Sequence, residues 1–230
     1  MVKPATEPSP STDGRDARWS DHRANRRQQI LIAAAAAVCE SGPDVGIQEI
    51  ADRAVVPRSL IYRLFGDRAG LDTQLRQHVI DDVMARVVPT LSPEGTFLEA
   101  ISRTIDAYVS WCSANRALHR LVSPRAPSGP GGDHAVVDAK TEVGLRISKV
   151  VDVVLAAGSP SSWASQSLAF AMVGMVDVTV DRWLDGPPDS VDAEQLSAQL
   201  QRWVWLLLRD TAATHGIVLA PETQVAELFR

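Results

Sequence analysis

Between Pro57 and Gly66 the chain reads Arg58-Ser59-Leu60-Ile61-Tyr62-Arg63-Leu64-Phe65. On a helix, at about 100° per residue, Arg58, Ser59, Tyr62 and Arg63 share one arc, and Leu60, Ile61, Leu64 and Phe65 share the opposite one. Arginine can bond a guanine edge bidentately in the major groove of DNA, while tyrosine and serine hydroxyls suit phosphate oxygens. Just upstream, Ile47, Ile50, Ala51 and Ala54 form a short helical stripe. Val55 and Val56 lead into Pro57, which suits the first turn of the next helix. Short helix, turn, short helix is the arrangement of a helix-turn-helix whose second helix enters the groove. On amphipathicity alone, a structural helical hairpin with one solvated face explains the segment equally well.

The charges around this segment are asymmetric. The chain of 230 residues has a net charge of −5, which argues against coating nucleic acid by bulk charge. From Arg15 to Arg68, however, nine arginines face seven acidic residues. A mildly basic N-terminal part therefore joins an acidic body. The arm Arg15, Arg18, Arg23, Arg26 and Arg27 has two readings, a phosphate or minor-groove contact and a solvated charge run. For Arg26 and Arg27 the first is favoured; for Arg15 and Arg18, the second.

The positioning elements read as helices throughout. Residues 1–22, with Pro4, Pro8 and Pro10, read as a disordered tail. A helix from Asn25 carries the stripe Ile30, Ala33, Ala34, Ala37, Val38 and stops at Gly42-Pro43. Residues 23–70 are expected to form the DNA-binding domain, 71–216 a ligand-binding and dimerisation domain, and 217–230 a tail or short helix. Long helices are predicted over about 68–88, 93–115, 133–157, 161–184 and 191–214. The Pro/Gly-rich stretch 123–132 reads as a loop. The fold class is all-α. The longest unbroken apolar run, Ile30 to Cys39, is half the length of a membrane span. No secretory signal is visible, and Cys39 and Cys112 make neither a disulfide framework nor a metal motif. A cytoplasmic protein with no membrane partner is expected.

The stretch RRQQILIAAAAAVCESG…IQEIADRAVVPRSLIYRLFGDRAGL resembles the N-terminal signature of TetR-type (tetracycline-repressor family) transcriptional regulators. The resemblance covers about 45 of the 230 residues. It rests on Arg27 and Ile30 with Ala33-Ala34, then Gly42, Ile50-Ala51 and Ala54. Beyond the turn it continues through Val56, Arg58, Ile61-Tyr62, Phe65, Arg68 and Leu71. It implies a third helix that reads the major groove, with Tyr62 and Arg68 (in place of the usual lysine) on phosphates. It also implies a helical body that binds an effector and dimerises. Val55 stands where glycine is usual, Leu64 where histidine is frequent, and Leu60 where a threonine often begins the reading face.

In the body, Phe97, Ile101, Tyr108 and Trp111 line one helix, with Phe170, Met172 and Met175 available opposite. This is an adaptable lining for a small, mostly apolar effector. Asp177, inside AFAMVGMVDVTV, must be paired or neutral. A structural ion pair with a neighbouring arginine, a ligand-orienting group and a dimer-interface group are the three readings. His119 and His134 read as surface or capping residues. No G-x-S-x-G, H-x-x-x-H, C-x-x-C or phosphate-cradling glycine loop is present, so neither an enzyme nor a cofactor or metal is expected. The function expected is a homodimeric, effector-responsive repressor on a palindromic double-stranded operator. A helical-bundle protein with a non-functional DNA-binding head is the alternative.

Overall fold

The computed structural model describes residues 13–123, 132–155, 162–187 and 191–226. Among the described residues the chain forms nine α-helices and no strand, as the periodicity predicts. It divides into two compact units, Met1–Leu75 and Arg76–Arg230, five residues beyond the boundary expected from sequence.

The first unit contains α1 (Asp13–Ser41), α2 (Ile47–Arg53), α3 (Arg58–Phe65) and the start of α4 (Arg68–Val87). Helix α1 begins twelve residues before Asn25, inside the segment read as a tail. Every proline of that tail lies upstream of Asp13, and the alanines and arginines beyond it are good helix formers. Residues 1–12 and the side chains of Arg15 and Arg18 lie outside the described residues. Ile30, Ala34, Ala37 and Val38 of α1 meet Ile50 and Ala51 of α2, Ile61 and Phe65 of α3, and Leu71 and Leu75 of α4 in one buried core. Each large aliphatic side chain buried this way contributes about 1.5–3 kcal/mol. Gly70 is required for the α3–α4 junction, because a Cβ there would lie 2.1 Å from the Phe65 carbonyl oxygen.

The turn between α2 and α3 keeps its left-handed residue although the residue is a valine. Val55 has φ 52° and is almost fully exposed, and the Val56 N–H donates to the Ala51 carbonyl at 3.0 Å. A β-branched residue in this region costs about 1–2 kcal/mol, which the surrounding hydrogen bonds and core must offset.

The second unit holds the rest of α4, a 3-10 turn (Val88–Leu91), α5 (Phe97–Ala114), α6 (Arg116–Val122), α7 (Gly132–Leu155), α8 (Ser162–Leu184) and α9 (Ala193–Thr214). Capping boxes start two of these helices, Thr96 with Glu99 on α5 and Asp192 with Gln195 on α9. Each satisfies two otherwise orphaned backbone donors. Helix α7 packs chiefly on α8, and α5 on α9. Most of the loop expected at 123–132 lies outside the described residues. The segment after α9 is no free tail. Leu219 and Val225 are buried, the Val225 N–H donates to the Gly95 carbonyl at 2.9 Å, and Thr96 and Gln224 form an isolated bridge.

One helix departs from the membrane argument. Trp163–Leu184 is long and apolar enough, by length and composition, to cross a membrane. Counting only unbroken apolar runs overlooked it, because scattered Ser, Gly and Thr interrupt the run without lowering the average much. In the structure α8 packs chiefly on α7, while Trp163 and Val178 are exposed and Phe170 is partly so.

Candidate nucleic-acid interface and buried chamber

In the first unit, α3 divides as its sequence dictates. Ile61 and Phe65 are buried, and Arg58, Ser59, Tyr62 and Arg63 are exposed. Leu60 and Leu64 are half-buried at the boundary. Arg58 and Tyr62 act as one unit: the guanidinium donates to the phenol oxygen at 2.8 Å and lies 5.3 Å from the ring centroid. That contact holds a flexible arginine upright on the helix surface before any partner arrives, reducing the side-chain entropy lost on binding.

The other predicted contacts are placed differently from one another. Arg26 is exposed and donates to Gln29 at 3.3 Å. Arg27 turns inward, donating to the Leu64 carbonyl at 2.7 Å, so it holds the end of α3 against α1. Arg68 also turns inward. Its Nε pairs with Asp72 at 2.8 Å, and its other nitrogens reach the carbonyls of Val45 at 2.5 Å and Pro43 at 3.4 Å. It therefore staples the loop between α1 and α2. Sequence reasoning missed this, since nothing in residues 43–45 announces a carbonyl acceptor. Arg23, Arg26 and Arg27 also join His22, Leu60 and Arg63 around an open groove between α1 and α3. The exposed face of α3 thus continues into a strongly basic surface, suited to a polyanion.

In the second unit a chamber of about 250 Å³ runs between α4, α5, α6, α7, α8 and α9. Phe97, Ile101, Tyr108, Trp111 and Asp177 all line it, with Met172 opposite. Phe170 and Met175 do not line it. On α8 the positions facing the chamber are Met172, Val173, Val176, Asp177 and Asp181. Phe170 instead lies over α7, where a Cβ on Gly144 would meet its ring at 2.8 Å. Met175 falls outside the inward arc of α8.

Asp177 forms the ion pair of its first reading, with a lysine in place of the expected arginine. Its Oδ2 accepts from Lys140 Nζ at 2.7 Å and its Oδ1 from the Tyr108 hydroxyl at 3.0 Å, at the chamber wall. His119, read as a surface residue, is buried and lines the same end. Burial lowers its pKa from 6.5, so the ring is neutral at pH 7. Burial likewise raises the Tyr108 phenol well above its usual range and pushes the Cys112 thiol up to about 12. His119 was missed because α6 is too short for its inward face to show as a periodic stripe.

A helix-turn-helix head followed by a helical body with an internal chamber defines a class, and the fold is that of the TetR-type transcriptional regulators. A TetR-family regulator from Streptomyces coelicolor superposes with a TM-score of 0.69 over 90% of this chain and 89% of that one, at 21% identity. A putative TetR-family regulator from Rhodococcus sp. gives 0.65 over 80% and 99%, at 19% identity. In sequence, the chain is 22% identical over 182 residues to an uncharacterised HTH-type transcriptional regulator of Mycobacterium tuberculosis, covering 79% of this chain and 77% of that protein. No protein-family model matches the chain.

Proposed function

We propose that the chain is a DNA-binding transcriptional regulator that works as a homodimer in the cytoplasm and releases a palindromic operator when a small, mostly apolar molecule fills its chamber. The observation that carries the DNA-binding part is the exposed Arg58–Tyr62 pair on α3, with the opposite face of that helix buried in the core. Arg58, Ser59, Tyr62 and Arg63 meet bases and phosphates, and Arg23 and Arg26 extend the contact along the backbone. Two-fold symmetry follows from the reach of a single recognition helix, which spans few base pairs. The dimer face is the outer surface of α8 and α9, where Trp163, Phe170, Val178, Trp203, Leu206 and Leu207 are exposed. Apolar exposure of that kind marks an interface.

Coupling needs an effector that binds one conformation of the body better than another. Helix α4 is the natural lever, because Ile80, Val83, Met84 and Val87 line the chamber at one end of the helix while Leu71 and Leu75 sit in the core of the first unit at the other. The test is a titration of the intact protein against DNA upstream of its own gene, at several salt concentrations. Arg58→Ala is expected to lose about 1–3 kcal/mol of preference for the operator. Unchanged affinity and unchanged preference would remove α3 as the reader.

A further inference from the structure

The chamber is not uniform along its length. Helix α5 lines it from Phe97 to Trp111, a distance of about 21 Å at 1.5 Å per residue. Around Phe97 and Ile101 the facing residues include Leu91, Val150 and Val151. Tyr108, His119, Lys140 and Asp177 converge toward the other end of α5, with Asp181 also on that wall, while Thr90, Ser92, Thr104 and Arg146 line the chamber elsewhere.

We propose that the chamber takes an elongated, uncharged apolar molecule with an oxygen-bearing head, such as an ester, ketone or alcohol, the head lying among Tyr108, His119, Lys140 and Asp177. This rests on the reading of the chamber as an effector site. The argument is one of charge and of unused hydrogen-bonding capacity. The Lys140 ammonium is already neutralised by Asp177 at 2.7 Å. A carboxylate head reaching Lys140 would have to displace Asp177 or lie beside it, and an ammonium head reaching Asp177 would meet Lys140. Like charges brought together in a partly desolvated site are costly, so either ion binds at a penalty that a neutral head avoids.

The neutral head nevertheless has partners. Lys140 has three N–H donors, and Asp177 is the acceptor it meets among the described residues. The ring of His119 is 5% exposed and lines the chamber. As a neutral imidazole it offers one donor and one acceptor. A carbonyl or hydroxyl oxygen entering the chamber can bond to that donor or acceptor. The apolar walls between Ile101 and Met172 take the chain.

The experiment uses the intact protein without DNA and three probes of one chain length: methyl decanoate, decanoate and decylammonium, each below its micellar concentration. Binding is read by quenching of tryptophan fluorescence and by calorimetry at pH 7. Methyl decanoate is expected to bind at least tenfold tighter than either ion. Asp177→Asn frees the Lys140 charge and is expected to raise decanoate affinity at least tenfold. A misfolded variant does not gain affinity, so that result separates the proposal from structural damage. Equal or tighter binding of either ion to the unsubstituted protein, binding of no probe, or an unchanged acid affinity in Asp177→Asn overturns the proposal. A separate operator titration tests the sensor role. An ester that binds but does not release DNA defeats that role and leaves the head-group preference standing.

Discussion

The Trp111 indole donates from Nε1 to Oδ2 of Asp82 at 2.6 Å, joining the chamber wall on α5 to helix α4. The same carboxylate lies 3.4 Å from Arg86. The chamber wall on α5 is thus hydrogen-bonded to the helix proposed as the lever. Asp82→Ala is expected to keep effector binding within about threefold while cutting the effector's influence on operator affinity, a coupling of about 1–3 kcal/mol in such systems. Parallel titrations with and without effector check this. Full coupling in the variant would mean that the signal travels by another route.

Arg68 separates two roles by experiment. As a phosphate contact alone, its loss would flatten the salt dependence by about one unit and leave the head's melting unchanged. As the staple seen on Pro43 and Val45, its removal costs stability, about 1.5–3 kcal/mol for a hydrogen bond from a charged donor. Arg68→Ala is expected to increase hydrogen exchange at residues 43–47. Arg68→Lys is expected to rescue it only in part, because one ammonium does not match a planar fork with three acceptors.

The two leucines of α9 that look alike in sequence should behave in opposite ways. Leu207 is exposed and Leu200 is completely buried. Leu207→Glu is expected to yield a folded monomer with weak operator affinity, read by sedimentation and circular dichroism. Leu200→Glu places a charge in the body core and is expected to unfold that unit, because the isolated charge has no partner there. A dimeric Leu207→Glu would move the interface away from this face.

The pH dependence follows from His119. Its pKa is lowered from 6.5 in the folded chain, so below that pH the unfolded chain takes up a proton that the folded chain resists. This contribution to stability is fully present above pH 6.5 and is lost as pH falls through the lowered value. Thermal melts are expected to show a decline as pH falls below 6.5, above the range where ordinary carboxylates titrate. His119→Leu should flatten it. Parallel curves for the two proteins would show that His119 does not carry the effect.

The sequence by itself determined the helices and the split of α3. Periodicity and capping are local, so the stripes of α1, α3, α5 and α9 state which face must leave water, and Arg58, Ser59, Tyr62 and Arg63 fall on the face that stays in it. Phe97, Ile101, Tyr108, Trp111 and Met172, named for the chamber from their residue types and helices, line it. Tertiary structure alone decided the destinations of long and central side chains. Whether Arg27 and Arg68 point to solvent or to a carbonyl depends on acceptors at Leu64, Val45 and Pro43, each more than twenty residues away in the chain. The partner of Asp177, the burial of His119 and the outward place of Phe170 depend in the same way on which helices lie beside one another. A helix of mixed apolar composition such as α8 presents nearly the same pattern in several directions, and only its neighbours α7 and α9 select the face that lines the chamber.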